Sequence, residues 1–235
     1  NGTYVLLDAA RRHGIERFHH ISTDEVYGSI AEGHWDESFP LEPRNPYAAT
    51  KASAELLVRA FHLSHGIPTV VTRASNNIGP YQYPEKRVPL YVTNAIDDKP
   101  LPVYGDGLQV RDHLYVDDHC SAIDLVLHKG TIGEVYNVGG QNDVTGIDVA
   151  HAILRQLGKP EALIQFVEDR SGHDLRYALD SSKIKALGWT PLVGVDEAME
   201  RTIQWYVDHQ DWWRAIRDRD DYKAYYERQY GDRLK

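Results

Sequence analysis

The sequence predicts an α/β protein built on a parallel sheet. Three features carry that expectation: helical stretches that stop at glycines, short strand-like runs that follow them, and no hairpin turn between consecutive runs. Helix, strand, helix, strand without hairpins is the rhythm of strands joined by crossovers.

Tyr4 to His13 has apolar positions at helical spacing and stops at Gly14. Arg17 to Thr23 reads as a short strand ending in polar residues. Tyr27 to Pro46, rich in Gly, Pro, Glu and Ser, reads as a surface loop. Tyr47 to His65 is a long alanine-rich helix stopped by Gly66, and Ile67 to Arg73 is a β-branched, buried strand. Beyond Asn77 prolines punctuate the chain. Helices are expected at about 88–97, 117–128, 147–157 and 196–208, with a strand at Val135 to Val138 running into a turn at Gly139-Gly140. The tail from Asp211 is dense in Trp, Tyr, Arg and Asp. No repeat and no low-complexity linker separates domains.

Composition narrows the function. With 42% hydrophobic and 26% charged residues the chain can bury a core and is ordinary for a soluble protein. A net charge of -9 argues against a nucleic-acid partner, whose phosphates require a basic face. The single cysteine, Cys120, excludes an internal disulfide and fits a reducing, cytoplasmic setting. No apolar run has the length of a membrane span, and no residue cluster suggests a metal.

Two short motifs carry chemistry. In Tyr47-Ala48-Ala49-Thr50-Lys51 the phenol and the ammonium lie four residues apart on one helix face. A cation beside a phenol is expected to lower its pKa. The plain alternative is an exposed i,i+4 pair. Ser22-Thr23-Asp24-Glu25 follows a predicted strand, and ligands of open α/β sheets bind beyond strand carboxyl ends. Adjacent carboxylates there can divide acid and base work, or the segment can be a helix cap or solvated loop.

Taken together, Ile21 to Gly28, Asn45 to Ser53, Arg73 to Lys86, Pro102 to Gly107, Arg111-Asp112 and Asp169 to Tyr177 resemble the dTDP-glucose 4,6-dehydratase branch of the extended short-chain dehydrogenase/reductase superfamily. The resemblance runs from Asn1 to about Leu234. It implies an incomplete Rossmann-like parallel sheet, residues 1–75 and 113–139, interleaved with a smaller nucleotide-sugar-binding domain, residues 76–112 and 140–235. It also implies an NAD-dependent lyase acting on a nucleotide sugar, and a homodimer. Thr23, Asp24, Glu25, Tyr47 and Lys51 are the implied catalytic residues. Tyr47, Lys51 and Asn77 would meet the cofactor. The substrate would meet Thr23, Glu25, Asn76, Lys86, Arg87, Pro102, Val103, Tyr104, Arg111, Asp169, Arg170, Ser171, Gly172 and His173. Arg87, Gly146 and Ser171 depart from the residues common in the family. Helices at about 4–13 and 47–65 resemble those of the family dimer interface, with Leu56, Val58 or Phe61 as candidate contacts; packing of these residues on the sheet is the alternative.

The acidic pair Asp24-Glu25 favours dehydration of dTDP-glucose over epimerisation, which eliminates no water. A UDP- or GDP-sugar dehydratase or an epimerase stays open. The glycine-rich cofactor fingerprint is missing from this chain, and at about 30 residues per βα unit roughly a hundred residues on the N-terminal side are expected to be absent. Such a chain is expected to expose a sheet edge and to hold NAD poorly. A fragment that binds nucleotide sugar or dimerises without turnover is the alternative.

Overall fold

A computed structural model describes residues 1–169 and 174–234. The elements in order are helix α1 (Gly2–His13), strand β1 (Phe18–Thr23), a 3₁₀ turn (Asp24–Tyr27), α2 (Pro46–His65), β2 (Thr69–Ala74), β3 (Asn76–Ile78), α3 (Arg87–Ile96), β4 (Leu101–Tyr104), β5 (Val110–Arg111) and β6 (His113–Tyr115). There follow α4 (Val116–Lys129), β7 (Val135–Val138), β8 (Val144–Thr145), α5 (Gly146–Leu157), β9 (Ile164–Val167), α6 (Ser182–Ala186), α7 (Val195–Asp208), α8 (Gln210–Arg217) and α9 (Asp220–Tyr230). They form two compact units: residues 1–77, 112–142 and 174–192, and residues 78–111, 143–173 and 193–235.

The first unit is built on the parallel sheet β1-β2-β7, with Phe18 beside Thr69 and Val71 beside Val135. Central β2 is buried at all six residues and has the continuous apolar and β-branched character of a strand covered on both faces. Val70 and Ala74 pack with Leu114, Ala122, Val126 and Trp189 on one face. Val71 packs with Leu7, Val58, Phe61 and Ile67 on the other. At the sheet's edge β1 stays partly open until Ser22 and Thr23, and Ile21 is exposed. α1 leaves Tyr4, Val5 and Leu6 largely uncovered.

Both sequence-read helix stops hold for the same reason. Gly14 and Gly66 take the left-handed conformation, at φ 60° and 67°, that a Cβ disfavours. Of the three residues offered for a dimer face, Val58 and Phe61 are buried within the first unit and only Leu56 is exposed. They face inward because α2 needs its apolar stripe to cover β2.

Residues 174–192, placed on sequence grounds with the second region, pack in the first unit. Trp35 exchanges backbone hydrogen bonds with Ala178 and Asp180, and Trp189 Nε1 donates to the Asp118 carbonyl and to Ser121 Oγ. Ile184 and Trp189 complete the core cluster under β2 and β7.

The second unit pairs β4 with β9 in parallel and β5 with β8 antiparallel. The tail dense in Trp, Tyr, Arg and Asp forms α8 and α9. Trp213 is fully buried, its Nε1 donating to the Tyr206 carbonyl at 2.8 Å, and the Tyr222 hydroxyl donates to the Pro84 carbonyl at 3.2 Å. Among the described residues no helix is long and apolar enough to cross a membrane, and no group of three or more His, Cys, Asp or Glu side chains could hold a metal.

Candidate active site

The carboxyl end of β1 carries the acidic pair. β1 ends at Thr23, which caps the 3₁₀ turn by accepting from the Glu25 N–H at 3.4 Å. The Thr23 hydroxyl donates to Asp24 Oδ1 at 3.1 Å, and Asp24 is 2% exposed. The stretch expected to be loop from Tyr27 onward begins inside this turn, and Tyr27 is buried. Its ring, flanked by Val26 and Ala52 in a small apolar cluster, pulls the chain inward.

Asn45 joins the acidic pair to α2. Its Oδ1 accepts from the Ala48 N–H at 2.8 Å, the usual task of a helix N-cap, and its Nδ2 donates to Glu25 Oε2 at 3.1 Å. Sequence reading gave Asn45 no role, although Asn followed by Pro46 at the first helical position is a recognisable start signal. One amide thus sets both the first turn of α2 and the orientation of Glu25.

On α2, Tyr47 is 54% exposed. Lys51 lies one turn on and donates its Nζ to the Ile21 carbonyl of β1 at 2.7 Å. The expectation that Lys51 lowers the Tyr47 pKa is not met here. Partial burial pushes the phenol up, the Glu25 and Asp24 carboxylates push it further, and a hydrogen bond with Thr23 opposes them. Burial lowers the Lys51 pKa, against the pull of Glu55. The physical reason is placement: the ammonium is engaged with a backbone carbonyl of the edge strand, while two carboxylates act on the phenol.

Just beyond β2, Asn76 and Asn77 lie at the neighbouring strand end. The Asn76 N–H donates to the Asp112 carbonyl at 3.1 Å and Asn77 Nδ2 to the Ser75 carbonyl at 3.3 Å. Thr23, Asp24, Glu25, Tyr47, Lys51, Asn76 and Asn77 therefore all belong to the first unit. Asp112, in the same unit, is buried, and burial raises its carboxyl to about 6 against hydrogen bonds from Asn142, Gln141, Ser75 and Gly140. The Gly139-Gly140 turn is explained by crowding: a Cβ on Gly140 would stand 2.2 Å from the His113 carbonyl oxygen.

The remaining predicted contacts belong to the second unit. Lys86 is largely exposed and paired with Glu85 at 3.1 Å. Arg111 is 5% exposed, with Nη1 donating to the Val110 carbonyl at 2.7 Å. Pro102 and Val103 are buried in β4, leaving Tyr104 as the accessible ring of the three; its hydroxyl accepts from Gln229 Nε2 at 2.7 Å. Asp169 Oδ2 accepts from Gln109 Nε2 at 3.1 Å. Arg87 and Gly146, which the sequence resemblance marks as departures from the family pattern, are neighbours: a Cβ on Gly146 would lie 2.9 Å from Arg87 Nη1. Arg170, Ser171, Gly172 and His173 lie outside the described residues.

The chain is similar to proteins of known activity over most of its length. The chain is 50% identical over 221 residues to a curated dTDP-glucose 4,6-dehydratase of Streptomyces niveus, covering 94% of this chain and 66% of that protein. DesIV, a dTDP-glucose 4,6-dehydratase of Streptomyces venezuelae crystallised with NAD, matches with a TM-score of 0.90 at 47% identity, over 92% of this chain and 67% of that one. The UDP-glucose 4-epimerase of Thermus thermophilus, in complex with NAD, matches with a TM-score of 0.83 at 32% identity, over 88% and 69%. The chain spans about two thirds of the length of these relatives. A family model described as GDP-mannose 4,6 dehydratase matches residues 1–202, and with these identities the chain belongs to that nucleotide-sugar dehydratase family.

Proposed function

We propose that the protein carrying this chain dehydrates dTDP-glucose to the 4-keto-6-deoxy sugar nucleotide. The observation that supports this best is the acidic pair at the end of β1, tied by Asn45 to the helix bearing Tyr47 and Lys51. An epimerase would use the Thr, Tyr and Lys but has no task for two carboxylates.

Two orphaned polar atoms on the strand ends fit a polar cofactor: Ser22 Oγ and Asn76 Oδ1 are buried without a hydrogen-bond partner. Tyr47, Lys51 and Asn77 would hold NAD. NAD, when bound, would supply the hydride acceptor for oxidation and the hydride returned after elimination. Tyr47 would accept the proton of the sugar 4-hydroxyl, helped by Lys51, and Thr23 would hydrogen-bond that hydroxyl. A ketone at carbon 4 acidifies the proton on carbon 5. Glu25, oriented by Asn45, would remove that proton, and Asp24 would protonate the departing 6-hydroxyl. Lys86, Arg87, Arg111 and Arg170 are proposed for the nucleotide diphosphate, since charge-assisted bonds to phosphate favour Lys and Arg. Asn76, Pro102, Val103, Tyr104, Asp169, Ser171, Gly172 and His173 complete the proposed substrate contacts, and a homodimer is the proposed assembly.

The test is the double variant Asp24→Asn with Glu25→Gln in the full-length gene product. Oxidation and elimination use different groups, so NADH absorbance should still appear with substrate while no 4-keto-6-deoxy product forms. Product formation near the wild-type rate would overturn the acid and base assignments.

A further inference from the structure

A chain of buried polar side chains in the first unit has no part in the chemistry proposed above. At its centre is Arg73 of β2, 5% exposed, facing Glu55 of α2, 4% exposed. Arg73 Nε donates to Glu55 Oε1 at 2.9 Å, and Nη2 donates to the same oxygen. Arg73 Nη1 donates to the Tyr27 hydroxyl, which donates in turn to Asn137 Oδ1 of β7 at 2.9 Å. Asn137 Nδ2 donates to the Trp35 carbonyl at 2.9 Å, and its N–H to Glu37 at 2.7 Å. The guanidinium also lies 4.6 Å from the centre of the Tyr27 ring, which stacks on Trp35.

The ends of this chain give it significance. Glu55 is one turn beyond Lys51 and two beyond Tyr47 on α2, while Tyr27 closes the 3₁₀ turn that opens with Asp24 and Glu25. Arg73 therefore joins the element bearing the oxidation base to the element bearing the elimination pair. A buried ion pair is a poor source of net stability, because desolvation offsets the attraction, but its directional bonds fix geometry. The planar guanidinium fork is suited to that task.

We propose that Arg73, Glu55 and Tyr27 are positioning residues that set the placement of the Asp24-Glu25 pair relative to Tyr47, with the Tyr27 hydroxyl locating the 3₁₀ turn. The proposal rests on the dehydratase reading. Burial pushes the Tyr27 phenol up to about 12, against the pull of Arg73, so the hydroxyl stays a donor to Asn137 through the neutral range.

Tyr27→Phe removes only the hydroxyl and keeps the ring on Trp35. In the full-length gene product with NAD, elimination should slow about 10- to 100-fold, the scale of an ångström-sized misplacement, while single-turnover NADH formation stays near wild type. Glu55→Gln, at the α2 end, should slow both steps. A crystal structure of Tyr27→Phe should show the turn displaced and the 3.1 Å Asn45–Glu25 bond lengthened or broken. That readout needs no turnover. If the wild type fails to oxidise a nucleotide sugar, the dehydratase reading falls while the displacement still decides the brace. Equal slowing of both steps by Tyr27→Phe, or an unmoved turn, overturns the proposal.

Discussion

The two units hold their predicted functional groups in different ways. In the first, the side chains proposed for the chemistry stand at strand and helix ends, where each is tied to backbone or to a neighbour: Thr23 caps a turn, Asn45 caps the helix and holds Glu25, and Lys51 reaches β1. In the second, the predicted groups include long cations, from an exposed Lys86 paired with its own neighbour to a buried Arg111 bonded to its own strand. Groups placed by backbone geometry are fixed before a ligand arrives, which is what rate enhancement by orientation requires. Substitutions in the first unit should therefore act on rate constants, and substitutions in the second on affinity.

The largest expected effect breaks the first unit at its base. Tyr47→Phe removes the proposed acceptor of the 4-hydroxyl proton and should slow single-turnover NADH formation by ~10²–10⁴. Nucleotide-sugar binding should change little. If Tyr47 and Lys51 are merely an i,i+4 surface pair, stability moves by only a few tenths of a kcal/mol and the rate is untouched. An unchanged oxidation rate would remove the ground for every role proposed for the first unit.

Much of that unit was legible because its signals are local. The Gly14 and Gly66 stops, the buried run of β2 and the spacing of Tyr47 and Lys51 each need only a few consecutive residues. What escaped was non-local. Arg73 and Glu55 are 18 residues apart and meet only because α2 folds back over β2. Residues 174–192 join the first unit through Trp35 and Trp189, contacts no periodicity announces. The tail from Asp211 stood out in the sequence by composition alone, yet α8 is strongly amphipathic about the buried Trp213, and α9 buries Tyr222. The Tyr47 shift was misjudged because spacing gives neighbours on a helix, not the carboxylates that reach it from another element.

A middle-sized effect should appear in acid, again in the first unit. His19 on β1 bonds Thr72 Oγ1 at 3.1 Å, and both His19 and His119 of α4 are held down to about 4, in each case chiefly by burial. Each is neutral when folded but takes up a proton near pH 6.5 when unfolded. The contribution of these two histidines is therefore constant above pH 6.5, falls as the pH drops toward 4, and levels off below that, while Asp112, raised to about 6, contributes with the opposite sign over the same range. The loss should reach roughly 3–5 kcal/mol for the pair, less than the full shifts because His19 is partly open to solvent. Urea unfolding at pH 7, 5.5 and 4.5 measures it. His119→Gln should flatten the slope between pH 6.5 and 4.5; an unaltered slope would assign the acid loss to other groups.

The smallest effect tests the second unit at Gly146, one of the positions that the sequence resemblance marks as a departure. Gly146 opens α5, and its backbone lies outside the positive-φ region, so alanine meets no conformational penalty there. The added Cβ would stand 2.9 Å from Arg87 Nη1 and 3.2 Å from the Gly107 carbonyl oxygen. The guanidinium, at the end of a flexible side chain, can move aside. The carbonyl, which accepts from the Ile147 N–H at 3.0 Å, must give by a few tenths of an ångström. Reduced unfolded-state entropy favours Gly146→Ala by about 0.4–1 kcal/mol, and this crowding opposes it, so net stability should stay within about 1 kcal/mol of wild type. Displacing Arg87 should nevertheless alter nucleotide binding. Calorimetry should show a change of less than about tenfold in affinity for dTDP or UDP, with the oxidation rate of bound substrate unchanged. A fall in that rate without a fall in affinity would reverse the division of labour between the two units, since a residue of the second would then be acting on the chemistry and not on the grip.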